Sequence, residues 1–75
     1  MRVPYYIVRV TTKFDDCTKI SDRRLQGYKS ALNWFLYIKQ RTPCDRLIDS
    51  AELIKVCATT HNYAIMEIIE RIESK

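Results

Sequence analysis

The strongest structural signal in this sequence is Pro4-Tyr5-Tyr6-Ile7-Val8-Arg9-Val10-Thr11-Thr12-Lys13. The segment is rich in β-branched and aromatic residues, which favour a pleated strand. Because side chains alternate between the two faces of a strand, Tyr6, Val8 and Val10 share one face, which we expect to point to the core. The following Phe14-Asp15-Asp16 favours a turn, and residues 17–20 then predict a short antiparallel return strand. Without that return, the first strand would keep an unpaired edge able to bind another chain.

A long amphipathic helix is predicted over residues 23–41. Ser21-Asp22 offers a side-chain oxygen for its N-cap, and Pro43 ends it, because proline disfavours helical geometry in the residue before it. Gly27 costs about 1 kcal/mol in a helix interior, so it requires either a close packing contact or a later helix start. The expected apolar stripe of the helix consists of Leu25, Tyr28, Leu32, Phe35 and Leu36, widened by Ala31, Trp34 and Ile38.

Two further helices are predicted in the second half of the chain. Asp49-Ser50-Ala51-Glu52 has the pattern of a capping box and favours a helix over residues 50–59. The alternative is a strand over residues 53–60, since this segment is also rich in β-forming residues and could pair with the first strand. After a break at His61-Asn62, residues 63–73 predict a helix whose buried stripe is Ile65, Ile68, Ile69 and Ile72.

These elements predict a single α+β domain over residues 1–75, in which an N-terminal strand or short β-hairpin packs on about three α-helices. We therefore expect a mostly helical protein. Hydrophobic residues form 47% of the 75-residue chain and charged residues 29%, a balance that excludes a disordered chain. A chain of this length buries only about 60% of its unfolded surface, so association with a partner would add stability.

The sequence shows neither a signal-peptide pattern nor an apolar run near the roughly 18 residues that span a bilayer, so we expect a cytoplasmic protein that does not bind membranes. Three cysteines, an odd number at wide spacing, fit a reducing compartment. We expect Cys17, Cys44 and Cys57 to be buried free thiols.

Charge divides the chain into two unlike halves. Residues 1–41 carry nine Lys or Arg against three Asp, a net charge of +6, whereas residues 42–75 carry four Lys or Arg against six Asp or Glu, a net charge of −2. Such a dipole steers an anionic partner to the basic side, or allows two copies to dock as a homo-oligomer.

The polar side of the predicted 23–41 helix is the candidate binding surface. Six residues at spacings of three or four share that face: Arg23, Gln26, Ser30, Asn33, Tyr37 and Arg41. Guanidinium groups neutralise carboxylates or phosphates, amide and hydroxyl groups add hydrogen bonds, and Tyr37 could stack on an unpaired base. A plain solvent-exposed helix face would have a similar composition, because every surface helix presents polar residues to water.

Metal and catalytic sites are poorly supported by the sequence. Cys57 and His61 stand four residues apart and Cys17 and Cys44 could complete a zinc site, but no pair of cysteines with two residues between them is present. Cys57, His61 and Asp49 contain the atoms of a catalytic triad, yet nothing in their spacing makes them meet. We therefore expect no cofactor, no metal and no enzyme activity.

The predicted function is that of a non-enzymatic protein-protein interaction module, a small inhibitor or adaptor that binds an acidic protein surface through the basic helix face. The alternative is a nucleic-acid-binding regulator that uses the same face. The size is typical of proteins encoded by phages and mobile elements, although fold size by itself says little about function.

Overall fold

The computed structural model describes residues 2–42, 47–60 and 62–73. Its elements are β1 (Tyr5–Phe14), β2 (Cys17–Leu25), α1 (Tyr28–Arg41), β3 (Ile48–Thr59) and β4 (Ala64–Glu73). The four strands form one antiparallel sheet in the order β2-β1-β3-β4, and α1 packs across one of its faces. The predicted mostly helical fold with three helices is therefore wrong, because most of the described residues lie in strands.

The prediction of the first strand and its hairpin is confirmed. Strand β1 pairs with β2 from Tyr6 opposite Leu25 to Phe14 opposite Cys17, so the return strand is longer than the predicted 17–20. The two strands are joined by Asp15 and Asp16, and Asp15 has a φ of +51°. Tyr6, Val8 and Val10 face the helix-side core as expected.

Helix α1 begins later than predicted. Ser21 and Asp22 are not an N-cap but lie within β2, opposite Val10 and Arg9, because β1 offers a continuous ladder of backbone hydrogen bonds. Gly27 occupies the N-cap position with extended geometry, so the glycine does not stand in a helix interior. The helix ends where the sequence predicted, with Thr42 as its C-cap.

Strand β3 replaces the predicted helix over 50–59, and the alternative of a strand paired with β1 is correct. It pairs with β1 on one side and with β4 on the other. This central strand has buried apolar residues on both faces, so its apolar residues do not alternate strictly and periodicity cannot separate it from a helix. Leu53 contacts the core beneath α1, whereas Ile54 and Val56 form a cluster on the opposite face.

Strand β4 replaces the predicted helix over 63–73. Its register against β3 shifts between Leu53 opposite Glu70 and Ile54 opposite Ile68, so Ile69 is an extra residue in β4. A β-bulge of this kind changes which face the later side chains occupy and breaks the period of two. The isoleucines therefore mimic a helical stripe, but Ile65, Ile68 and Ile69 are 50%, 56% and 40% exposed, and among the four only Ile72 packs on the core beneath α1.

The core lies between α1 and the sheet. Ala31, Phe35 and Ile38 recur at helical spacing on α1 and are buried against Val8 and Leu53 of the central strands. Full burial of a side chain such as Phe35 contributes about 1.5–3 kcal/mol. The other sheet face, which we call the open face, has no helix packed on it among the described residues.

A row of alternating charges crosses the open face. Register places Asp22 opposite Arg9, Arg9 opposite Glu52 and Glu52 opposite Arg71, one residue from each strand, and we call these four residues the charged row. Arg9 donates Nε and Nη2 hydrogen bonds of 2.8 and 3.0 Å to the Asp22 carboxylate. This hydrogen-bonded pair lowers the pKa of Asp22 below, and raises the pKa of Arg9 above, their ordinary values.

Asp15→Gly is expected to stabilise the protein by about 0.5 kcal/mol, because glycine adopts a positive φ without the steric penalty of a Cβ. Asp16→Gly is the matched control, since Asp16 does not share the positive φ and its replacement only increases the entropy of the unfolded chain. Urea unfolding of both variants tests this. Equal effects of the two substitutions would show that the turn geometry does not matter.

The interaction between Arg9 and Asp22 is expected to weaken in acid. Because the folded-state pKa of Asp22 is lowered, its contribution is fully present above its unfolded pKa of about 3.9 and is lost as the pH falls through the folded value. A double-mutant cycle with Arg9→Gln and Asp22→Asn measures the coupling free energy. It should be clearly positive at pH 7 and should decrease as the pH falls below the unfolded pKa of Asp22; a coupling independent of pH would contradict the ion pair.

Candidate functional site

A groove between β2 and α1 is the candidate site. It has a volume of about 450 Å³. Strand β2 is an edge strand, and alternation along it directs Arg23 and Leu25 to the helix side of the sheet while Arg24 faces the open side. We call this space the β2–α1 groove, and it is lined by Arg23, Leu25, Ser30, Asn33, Trp34 and Tyr37.

Four side chains of the groove wall form a continuous stack. The Arg23 guanidinium carbon lies 4.5 Å from the centroid of the Trp34 ring. Trp34 stacks on Tyr37 with centroids 5.3 Å apart and ring planes 29° apart. The Arg41 guanidinium carbon lies 5.6 Å from the Tyr37 centroid, and its Nη1 donates a 2.8 Å hydrogen bond to the Tyr37 hydroxyl. We call these four residues the side-chain stack.

The stack follows from about two turns of α1 and one strand position. Trp34, Tyr37 and Arg41 are three and four residues apart, so they lie one above another along α1. Arg23 comes from β2 and contacts Trp34 from the strand side. Guanidinium–aromatic contacts contribute about 0.5–1 kcal/mol at exposed sites, which is enough to favour one orientation of a long side chain.

Arg23 is the residue of the groove best placed to bind a ligand. Among the described residues it makes no hydrogen bond or ion pair, and its guanidinium lies over the Trp34 ring. A guanidinium in contact with a ring face keeps its planar set of N–H donors, which can bind a carboxylate or phosphate with two parallel hydrogen bonds. None of the described lining residues is acidic, so none of them competes for these donors.

The remaining lining residues suit binding and not catalysis. Ser30 and Asn33 are exposed on α1 and offer a hydroxyl and an amide beside Arg23. The described lining residues include neither histidine nor a carboxylate, so none of them can act as a general base for the Ser30 hydroxyl. The arrangement can hold an anion and an apolar neighbour, the latter against Leu25 and Trp34.

The structure brings together most of the six predicted site residues, although not on a helix face alone. Four of them line the β2–α1 groove, with Arg23 in β2 instead of α1. Arg41 closes the side-chain stack. Gln26 lies elsewhere, since its amide binds the backbone of Arg2 and Pro4 at 2.8–3.3 Å and ties down the N-terminal segment.

Two groove residues were missed by the sequence reasoning. Leu25 and Trp34 were assigned to the apolar stripe of the predicted helix. The i to i+3 spacing of Trp34 and Tyr37 could have indicated their stacking. The contact with Arg23 could not have been found, because it depends on the strand conformation of β2.

The cysteine predictions need correction. Cys17 and Cys57 are free thiols but are exposed and not buried, since Cys17 begins edge strand β2 and Cys57 is the extra residue at a bulge of β3. Cys44 and His61 lie outside the described residues. Within those residues no group of three or more His, Cys, Asp or Glu could hold a metal.

Asp49 and Cys57, two of the three residues considered for a catalytic triad, do not meet. They are eight residues apart on the single strand β3, which separates their backbones by about 25 Å.

In the described residues, no helix is long and apolar enough to cross a membrane.

Comparisons of the chain with protein-family models, with curated proteins and with solved structures found no match.

Arg23 and Trp34 should be energetically coupled. A double-mutant cycle with Arg23→Gln and Trp34→Leu is expected to give about 0.5–1 kcal/mol in unfolding experiments, because leucine has no aromatic face to attract the cation. The matched cycle replaces Arg24, whose side chain faces the opposite side of the sheet, and should give a value near zero. Equal coupling in both cycles would refute a specific contact.

Proposed function

We propose that this chain is a non-enzymatic protein-binding module that holds an acidic segment of a partner protein in the β2–α1 groove. The observation that carries the proposal is the Arg23 guanidinium, whose central carbon lies 4.5 Å from the centroid of the Trp34 ring and which has no carboxylate partner among the described residues. The role resembles that of a small inhibitor or adaptor.

Preorganisation is the physical reason for preferring this site. A free arginine loses rotamer entropy when it binds, whereas one already stacked on a ring loses less for each hydrogen bond formed. A hydrogen bond to a charged group contributes about 1.5–3 kcal/mol, so a bidentate contact at Arg23 would carry much of the affinity. Tryptophan and arginine are also the residue types that most often dominate protein interfaces.

The position of the groove favours an extended segment of the partner. Strand β2 lies at the edge of the sheet, and its residues from Cys17 to Arg24 are exposed. A chain that runs along this edge can pair with backbone groups of β2 while its acidic side chain reaches Arg23. Backbone hydrogen bonds to β2 would then supply affinity, and the contact of the acidic side chain with Arg23 would supply specificity.

Nucleic acid is the alternative ligand, since phosphate would satisfy the same guanidinium. The side-chain stack argues against base binding, because Tyr37 has Trp34 one turn before it and Arg41 one turn after it, and both are already in contact with its ring. A stacked base would have to displace one of them.

We also infer a cytoplasmic location, because the exposed thiols of Cys17 and Cys57 persist best in a reducing compartment.

Binding can be measured by the fluorescence of Trp34, the single tryptophan of the chain, which forms part of the groove wall. The probes are a library of short Asp- and Glu-containing peptides, their Asn and Gln counterparts, and single-stranded and duplex oligonucleotides. Acidic peptides should change the emission in a saturable, salt-sensitive manner, whereas the amide counterparts should not.

Arg23→Gln should weaken peptide binding by at least tenfold, which corresponds to about 1.4 kcal/mol. Arg24→Gln removes the same charge from the neighbouring residue on the opposite face and should change the affinity by less than about twofold. Equal losses in both variants would indicate general electrostatic attraction and reject the site. Oligonucleotide binding that weakens steeply with salt, and that depends on Arg23, would establish the alternative function.

A further inference from the structure

The open face of the sheet carries two kinds of surface, which lie side by side. The charged row crosses the sheet at the level of Arg9. The next row of the same face holds Arg24, Ile7, Ile54 and Ile68, and the row beyond it holds Tyr5, Val56 and Met66. We call the residues of these two rows other than Arg24 the apolar half of the open face.

The apolar half is not fully covered by the chain itself. Ile7, Ile54 and Val56 are buried, but Ile68 and Met66 at its β4 side are 56% and 49% exposed. Apolar side chains grouped on one sheet face, next to a defined polar boundary, are typical of an interaction surface. Two sheets commonly pack face to face about 10 Å apart with their strands aligned within about 30°.

The charged row has a pattern that fits its own copy. From β2 to β4 it reads Asp22, Arg9, Glu52, Arg71, which is minus, plus, minus, plus. A two-fold axis parallel to the strands, passing between β1 and β3, reverses this order in a facing copy. Each carboxylate then faces a guanidinium: Asp22 faces Arg71 of the second copy, and Arg9 faces its Glu52.

The same operation aligns the apolar halves. Because a rotation about the strand direction leaves positions along the strands unchanged, the Ile7 row faces the Ile7 row of the second copy, with Ile7 opposite Ile54 and Ile68 opposite Arg24. An axis perpendicular to the strands, along the charged row, would place each of its residues opposite the identical residue and hence like charges together. The charge pattern therefore selects the first axis.

We infer that the open face is the docking surface for a second copy of this chain, in a face-to-face dimer about a two-fold axis parallel to the strands. The dimer leaves the β2–α1 groove accessible, since the groove lies on the opposite side of the sheet. Four strands of 9 to 12 residues give a sheet face of roughly 600 Å² per copy, which totals about 1,200 Å², near the lower limit for a specific interface.

Sedimentation equilibrium of the full chain from 1 μM to 1 mM in about 50 mM salt, where screening is weak, tests the dimer. The wild type should be a dimer at the upper concentrations. Ile68→Lys should be monomeric throughout, because it places a cation opposite Arg24 of the second copy. Ile65→Lys is the matched control: Ile65 is similarly exposed on the same strand but faces the other side, and this variant should still dimerise.

Mixing two charge variants separates docking from misfolding. Asp22→Arg places two arginines opposite each other in its homodimer, and Arg71→Glu places two carboxylates opposite each other, so each variant should be monomeric. In a 1:1 mixture every facing pair is again of opposite sign, and the heterodimer should form with nearly wild-type affinity. A wild type that stays monomeric at 1 mM, an Ile68→Lys variant that still dimerises, or a mixture that stays monomeric would each overturn the inference.

Discussion

Strand β1 is paired along both of its edges, and the other elements depend on this double ladder. Its backbone binds β2 on one side and β3 on the other, so segments from both halves of the chain meet around its first strand. Its side chains place Val8 beneath α1 and Ile7 on the opposite face. Because buried backbone amides and carbonyls must be hydrogen-bonded, this central position imposes strand conformation on both neighbours.

A sheet with one helix has two unlike faces, and the two binding surfaces follow from this asymmetry. On the helix side, α1 and β2 enclose a groove whose cation rests on an indole ring. On the open side, opposite charges and apolar rows form a surface that complements itself under a two-fold rotation. Neighbouring residues Arg23 and Arg24 belong to different surfaces because side chains alternate along β2.

Several residues of the candidate site were predicted from the sequence, but one of them was assigned to the wrong element. Ser30, Asn33 and Tyr37 were found from helical spacing, and they do lie on α1. Arg23 was placed on the same helix and reaches the groove from a strand instead. Charge and residue type thus identified residues of the candidate site. The contact of Arg23 with Trp34 could not be identified in this way, because it joins a strand to a helix.

Local chemistry determined the first strand, the turn at Asp15 and Asp16, the end of α1 before Pro43, and the unequal charge of the two halves. These features arise from residues near one another in the chain. Only the tertiary structure decided the conformation of β3 and β4. Their sequences satisfy a helical period as well as a strand period, since β3 is buried on both faces and Ile69 adds a bulge to β4. Long-range pairing with β1 supplied the hydrogen bonds and the burial that favoured the sheet, and no local propensity contains that information.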